Sequence, residues 1–323
     1  MSVRVGIIGC GAIARRAHIP SLVAGGASLT AFASRSLSSA SAARDEAGSG
    51  VVHDAWESLV ASPDVDAVVI CTPNALHAPQ ALAAVAAGKH VLIEKPFTVT
   101  VEDADAVIAA GAAADVVVMA AQSTRFAPQV VAARDAVRRG AVGTVTAVRG
   151  VLCNSGPLAW APDAAWFLDP ALSGGGALLD LGVHLADTVR FVLDDELSSV
   201  AGTLALGSHG LDEDAFVLFD TRKGVVGSLH AGWRSPAGRD FGLTVVGDAG
   251  LLVVSVEGAQ LADRDGSASA LELAPPDTVA AAFVRACEDG SAVAPDAYDG
   301  RAAVAVVQAA YASARDGQTV SLC

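Results

Sequence analysis

Basic residues are scarce in this chain: 21 Lys and Arg stand against 35 Asp and Glu, for a net charge of −14. Phosphate-backbone binding needs clustered Lys and Arg, so the balance argues against a nucleic acid partner, although a single phosphorylated cofactor needs only a few local donors. Charged residues reach only 17%, against 52% hydrophobic residues inflated by alanine, and nothing in that composition suggests disorder. Cysteines are few and scattered (Cys10, Cys71, Cys153, Cys287, Cys323), odd in number and without CxxC spacing. A disulfide framework or zinc knuckle is therefore disfavoured, and a reducing cytoplasm is the expected setting. No long apolar run is unbroken. The longest, AVIAAGAAADVVVMAA, is interrupted by Asp115 and reads as helix, turn and buried strand, not as a membrane span. Arg15 and Arg16 follow the first apolar run instead of leading it, which is the wrong order for an export signal.

What is present has a regular beat. Short β-branched runs, VRVGII, SLTAFA, DAVVICT, HVLIEK and DVVVMA, alternate with Ala-rich segments of helical spacing. Strands apolar throughout and separated by helices predict a doubly wound parallel sheet, with its ligand crevice at the carboxyl ends of the strands. After about Gln122 the rhythm changes: helix, strand and a long helix over GGALLDLGVHLADTVRFVL precede five strands without intervening helices. That order predicts an open, largely antiparallel mixed sheet, with two terminal helices packing back. The expected division is a dinucleotide-binding domain over 1–121 and a substrate and oligomerisation domain over 122–323.

The first strand ends in GIIGCGAIA, which places G-x-G-x-x-A on Gly9, Gly11 and Ala14. Gly9 permits a tight turn, Gly11 lets backbone approach a pyrophosphate, and Ala14 keeps helix and strand close, with Ala12 and Ile13 completing the loop. Glycines after a strand can also simply turn the chain, but the position between first strand and first helix supports dinucleotide binding. No acidic residue occurs between Arg15 and Arg44, so none is available for a ribose 2′-hydroxyl at the end of the second strand. Ser34, Arg35 and Ser36 stand there instead. A guanidinium flanked by hydroxyls suits a 2′-phosphate, which favours NADP(H) over NAD(H); the bland alternative is a solvated arginine in a polar loop.

Three further residues can carry chemistry. Lys95, in HVLIEKPF, lies just past the end of a buried strand, although a surface lysine before a turn proline reads the same way. Asp180 and His184 are four apart and share one helix face, a spacing suited to general acid–base work or to a merely structural pair. Metal ligation by Asp180, His184 and Asp187 is a third option, disfavoured because no Cys/His cluster accompanies them. With aromatics at only 5%, Trp160, Trp166 and Trp233 stand out; Trp166 can wall a pocket and stack on a sugar face, or simply pack.

Taken together, G-x-G-x-x-A, CTPNALH (Cys71 to His77), EKP (Glu94 to Pro96), RF (Arg125, Phe126), GGGALLDLGVHLAD and VVGDAGLL resemble the glucose–fructose oxidoreductase/inositol dehydrogenase/MocA family. The resemblance runs nearly the whole chain, down to ASARDGQTVSL. It implies an NAD(P)-dependent oxidoreductase acting on a sugar, cyclitol or related carbonyl compound, without a metal, as a homodimer or homotetramer formed through the carboxyl-terminal sheet. It implies Lys95, Asp180 and His184 as catalytic residues. Thr72, Pro73, Asn74, His77 and Glu94 would lie on the cofactor side, with His77 in a supporting place. Arg125 and Trp166 join the catalytic residues as candidate substrate contacts. Two rivals are a dinucleotide-sensing regulator without catalysis and a glycosidase that uses bound NAD transiently.

Overall fold

The computed structural model describes residues 2–236 and 238–322. Two compact units form, Met1–Gln122 with Thr278–Arg301, and Ser123–Asp277 with Ala302–Cys323. In the first, the strands are β1 (Arg4–Ile8), β2 (Ser28–Ala33), β3 (Val51–His53), β4 (Ala67–Ile70), β5 (His90–Ile93) and β6 (Val118–Ala120). All pair in parallel, in the order β3-β2-β1-β4-β5-β6. The build direction reverses between β1 and β4, which is where a doubly wound sheet opens its crevice. Ile7, Val69, Ile70, Leu92 and Ile93 are shut off from solvent, as strands covered on both faces require.

The sequence predicts every strand of this sheet except β3. That edge strand has three residues and no buried position, so it carries no apolar run to betray it. Helices start where side chains can cap them. Ser36 caps Leu37–Ala47 by accepting from the Ser39 N–H at 3.3 Å, and Thr100 caps Val101–Ala114 by accepting from Asp103 at 3.1 Å. The helix Val279–Asp289 returns from late in the chain and packs on Ile19–Ala24. The segment 278–301 thus belongs with the first unit, where the sequence reading had kept it with the second.

The second unit contains β7 (Val145–Cys153), β8 (Leu197–Leu206), β9 (Asp212–Thr221), β10 (Val226–Gly232), β11 (Asp240–Gly247), β12 (Gly250–Ser255), β13 (Ala259–Asp263), β14 (Ala268–Ala270) and β15 (Val320–Ser321). Their order is β14-β13-β12-β11-β7-β10-β9-β8-β15, with β7 and β10 parallel and all other neighbours antiparallel. Helices Pro128–Arg138 and Val183–Leu193 pack against this sheet. Side chains alternate along β9: Ala215, Val217 and Phe219 are buried, while Phe216 and Leu218 are 50% and 63% exposed. One face therefore builds the core, and the other presents apolar side chains outward.

Candidate active site

At the end of β1, Gly9 turns with φ +89°, and a Cβ there would lie 2.6 Å from the carbonyl group of Cys71. The backbones following β1 and β4 touch at this point, and only glycine fits. The Gly9 N–H donates to the Ala33 carbonyl at 2.8 Å, which ties in the end of β2 as well. Gly11 is exposed, with nothing within 4 Å of where its Cβ would be, so backbone is open to an incoming group there. Ala12 and Ile13 are half-buried and Ala14 is fully buried at the start of the helical run 12–24. Burial pushes the Cys10 thiol up to about 12, so it stays protonated. Past β2, Ser34 is half-buried, and Ser36 is occupied as a helix cap. Arg35 is exposed and makes no hydrogen bond or ion pair among the described residues. Arg15, by contrast, is held by Glu46.

Lys95 follows β5, and its peptide bond to Pro96 is cis. Immediately before it, the buried Glu94 carboxylate accepts from His18 Nε2 at 2.6 Å and from the Lys95 N–H at 3.0 Å. Burial alone would push this carboxyl up, but the bond to His18 and the charges of His18 and Lys95 outweigh it and hold it below the usual range. Glu94, expected on the cofactor side, has its carboxylate engaged behind Lys95. His18 sits in a π-helical turn, Ala14–His18, of the helical run that follows the glycines.

On the other side of Lys95, His77 places Nδ1 2.8 Å from the Pro96 carbonyl and Nε2 2.9 Å from that of Thr72. Burial outweighs the pull of the two carbonyls and lowers its pKa, so a neutral ring donates to only one of them at a time. Within CTPN, the Thr72 hydroxyl donates to Gln80 Oε1 at 2.7 Å, and Pro73 leads into a tight turn, Asn74–Leu76, that buries Asn74.

In the second unit, Asp180 lies in another π-helical turn, Leu178–Gly182, which continues into Val183–Leu193 with His184 in its first turn. Asp180 Oδ2 accepts the Trp233 indole N–H at 2.9 Å, and His184 Nδ1 is 3.2 Å from Thr124 Oγ1. Trp233 thus anchors the carboxylate, a role the sequence did not suggest. The start of this helical run is fixed by Asp212, which is 2% exposed. Its carboxylate accepts from the Gly176 N–H at 3.0 Å, the Leu178 N–H at 2.7 Å and the Tyr311 hydroxyl at 2.7 Å. A Cβ on Gly176 would collide with the Asp212 carbonyl, so this contact requires glycine. Burial and the Asp212 charge raise the Tyr311 phenol well above its usual range, which keeps it a donor.

Two candidate substrate contacts have partners within the protein. Arg125 donates from Nε and Nη2 to the two carboxylate oxygens of Asp187, each at 2.7 Å, and the pair is 10% and 0% exposed. This bidentate geometry engages one edge of the guanidinium and both carboxylate oxygens. Trp166 stacks on Phe167 at 3.9 Å and 22°, with Trp160 edge-on to Phe167 at 5.7 Å. One of its ring faces is therefore already covered.

Both His77 and Glu94 titrate lower in the folded protein than in the unfolded chain. Each then stabilises fully above its unfolded pKa, about 6.5 for histidine and about 4.3 for glutamate, and loses that contribution as pH falls through the folded value. The Tm is expected to decline in acid from below about pH 6.5. His77→Gln, which cannot titrate, is expected to flatten the first part of that decline. An unchanged slope would remove His77 as its source.

A family model described as "Oxidoreductase family, NAD-binding Rossmann fold" matches residues 3–122, and one described as "GFO/IDH/MocA C-terminal domain" matches residues 130–253. The chain is similar to 1,5-anhydro-D-fructose reductase of Ensifer adhaerens, 40% identical over 190 residues that cover 58% of this chain and 56% of that protein. It is also similar to D-xylose 1-dehydrogenase (NADP(+)) 2 of Haloferax volcanii, 35% identical over 187 residues that cover 57% and 55%. The matched region thus spans about half the length of these curated relatives. Among solved structures, GenD2 from gentamicin A biosynthesis in complex with NAD is 27% identical with a TM-score of 0.87, covering 100% of this chain and 97% of that one. Since the two family models together account for most of the chain, the chain belongs to the GFO/IDH/MocA oxidoreductase family.

Proposed function

We propose that this chain is an NAD(P)-dependent oxidoreductase that interconverts a secondary alcohol or hemiacetal and its carbonyl on a sugar, cyclitol or related compound. The observation that carries the reading is the turn at Gly9, pressed against Cys71 and followed by open backbone at Gly11, at the reversal point of the parallel sheet. That cradle fits a pyrophosphate. The names of the reductase and dehydrogenase relatives, both sugar-directed, support the substrate class.

A bound nicotinamide dinucleotide supplies or accepts the hydride. The chain's own groups move the proton and stabilise charge. Lys95 hydrogen-bonds the reacting oxygen and offsets the charge that develops on it. His184 takes the hydroxyl proton in oxidation and returns it in reduction, with Asp180 supporting the imidazolium. Glu94 and His77 keep the Lys95 backbone in place, and Asp212 does the same for the helix of Asp180 and His184. Trp166 offers its remaining face to a sugar ring. Lys95→Ala and His184→Ala are each expected to lower kcat by about 10²–10⁴-fold while leaving the dinucleotide Kd unchanged. Near-normal turnover in either variant removes that residue from the mechanism. Steady consumption of reduced dinucleotide with ketoses, inososes or aldoses separates this enzyme from a sensor or a transient-NAD glycosidase, neither of which turns free cofactor over.

NADP(H) is the favoured cofactor. Arg35 is exposed and without an internal partner beside Ser34 and Ser36, an arrangement suited to a 2′-phosphate. The relatives themselves divide: one carries NADP(+) in its name, and one structure holds NAD. Arg35→Ala is expected to weaken NADPH binding about tenfold while NADH binding stays within about twofold. Equal weakening of both would contradict the assignment. The outward face of the second sheet, with Phe216, Leu218, Val226 and Val253 exposed, supports self-association through that face.

A further inference from the structure

Gln122 follows β6 at the carboxyl edge of the parallel sheet. Ile93 and Ala120 are register partners, and the Ala121 N–H still donates to the Ile93 carbonyl at 2.8 Å. Two residues past that pair, Lys95 and Gln122 therefore occupy matching positions on the extensions of neighbouring strands. The Gln122 N–H donates back to the Ala120 carbonyl at 2.9 Å, which fixes the local turn. The residue is 1% exposed, yet its Oε1 is buried without a hydrogen-bond partner. An unpaired buried amide carbonyl is costly, and native structures keep few of them. The other orphaned side-chain atom among the described residues, Arg134 Nε, has an explanation in the stacking of its guanidinium on Phe191 at 4.2 Å. Gln122 has none within the protein.

We infer that Gln122 binds the primary carboxamide of the nicotinamide, its Oε1 accepting a ligand N–H and its own amide N–H meeting the ligand carbonyl. The inference rests on the dinucleotide reading above. A carboxamide presents one acceptor and two donors side by side, and among side chains only Asn and Gln match that pattern reciprocally. The pairing satisfies the orphaned carbonyl, and anchoring the carboxamide restrains rotation of the ring about its ribose bond. A water or a sugar hydroxyl can donate to the carbonyl, but a carboxamide sets donor and acceptor side by side in one plane to meet both polar atoms.

The test is calorimetric titration of wild type, Gln122→Leu and Gln122→Met with the oxidised dinucleotide and with its acetylpyridine analogue, in which a methyl ketone replaces the carboxamide. Wild type is expected to bind the analogue about tenfold more weakly than the natural form, since the analogue brings no N–H donor. Both variants are expected to bind the natural form about tenfold more weakly and to discriminate between the two no longer. Their ligand-free Tm is expected to equal or exceed that of wild type, because an unsatisfied carbonyl has gone. Discrimination that persists in a folded variant overturns the assignment, as does a wild type that binds both forms equally. Either result leaves the dinucleotide reading standing. A wild type that binds neither form overturns that reading, and the assignment of Gln122 with it.

Discussion

A carboxylate taken out of water must be met by donors, and two such carboxylates fix the segments that carry the proposed catalytic residues. Glu94 in the first unit receives His18 and the backbone N–H of Lys95. Asp212 in the second receives two backbone N–H groups at the head of the helical run that carries Asp180 and His184, together with the Tyr311 hydroxyl. In both cases part of the charge is met by backbone N–H groups of the segment it positions. Loosening that segment would strand a buried anion, so the penalty for disorder falls on the backbone next to the reactive groups.

The two arrangements share a second feature. His18 and Asp180 each lie in a π-helical turn, where one extra residue per turn displaces a side chain from the position an α-helix would give it. Each uses that displacement to reach a partner far away in sequence, Glu94 for His18 and Trp233 for Asp180. The glycines work in the same direction. Gly9 lets two strand ends meet at van der Waals range, and Gly176 lets the head of a helix meet the Asp212 backbone. Local irregularity thus accompanies several of the candidate site residues.

Much of this was legible in sequence, for identifiable reasons. Strands β1, β2, β4, β5 and β6 are apolar on both faces and read without ambiguity. The Gly9 turn follows from glycine spacing, and Lys95, Asp180 and His184 stand out by position and resemblance. Strands β3, β13, β14 and β15 did not stand out, because short runs such as VVH, AQLAD, ASA and VS lack the apolar pattern on which such reading depends. The pairing of Arg125 with Asp187 was not legible, because the two lie 62 residues apart. His18, Asp212 and Tyr311 went unnoticed since their partners lie 76, 34 to 36, and 99 residues away. No window on a single sequence carries such pairings. Gln122 was hidden for the opposite reason, having an atom with no partner at all.

The central proposal is that Lys95 and His184 both contribute to the same catalysed reaction. Turnover of the Lys95→Ala/His184→Ala double variant, measured beside the two single variants, tests it most directly. Groups that act as a unit are strongly non-additive, so the double variant should be scarcely slower than the slower single. Losses that multiply in full would show the two residues acting independently and would contradict the account.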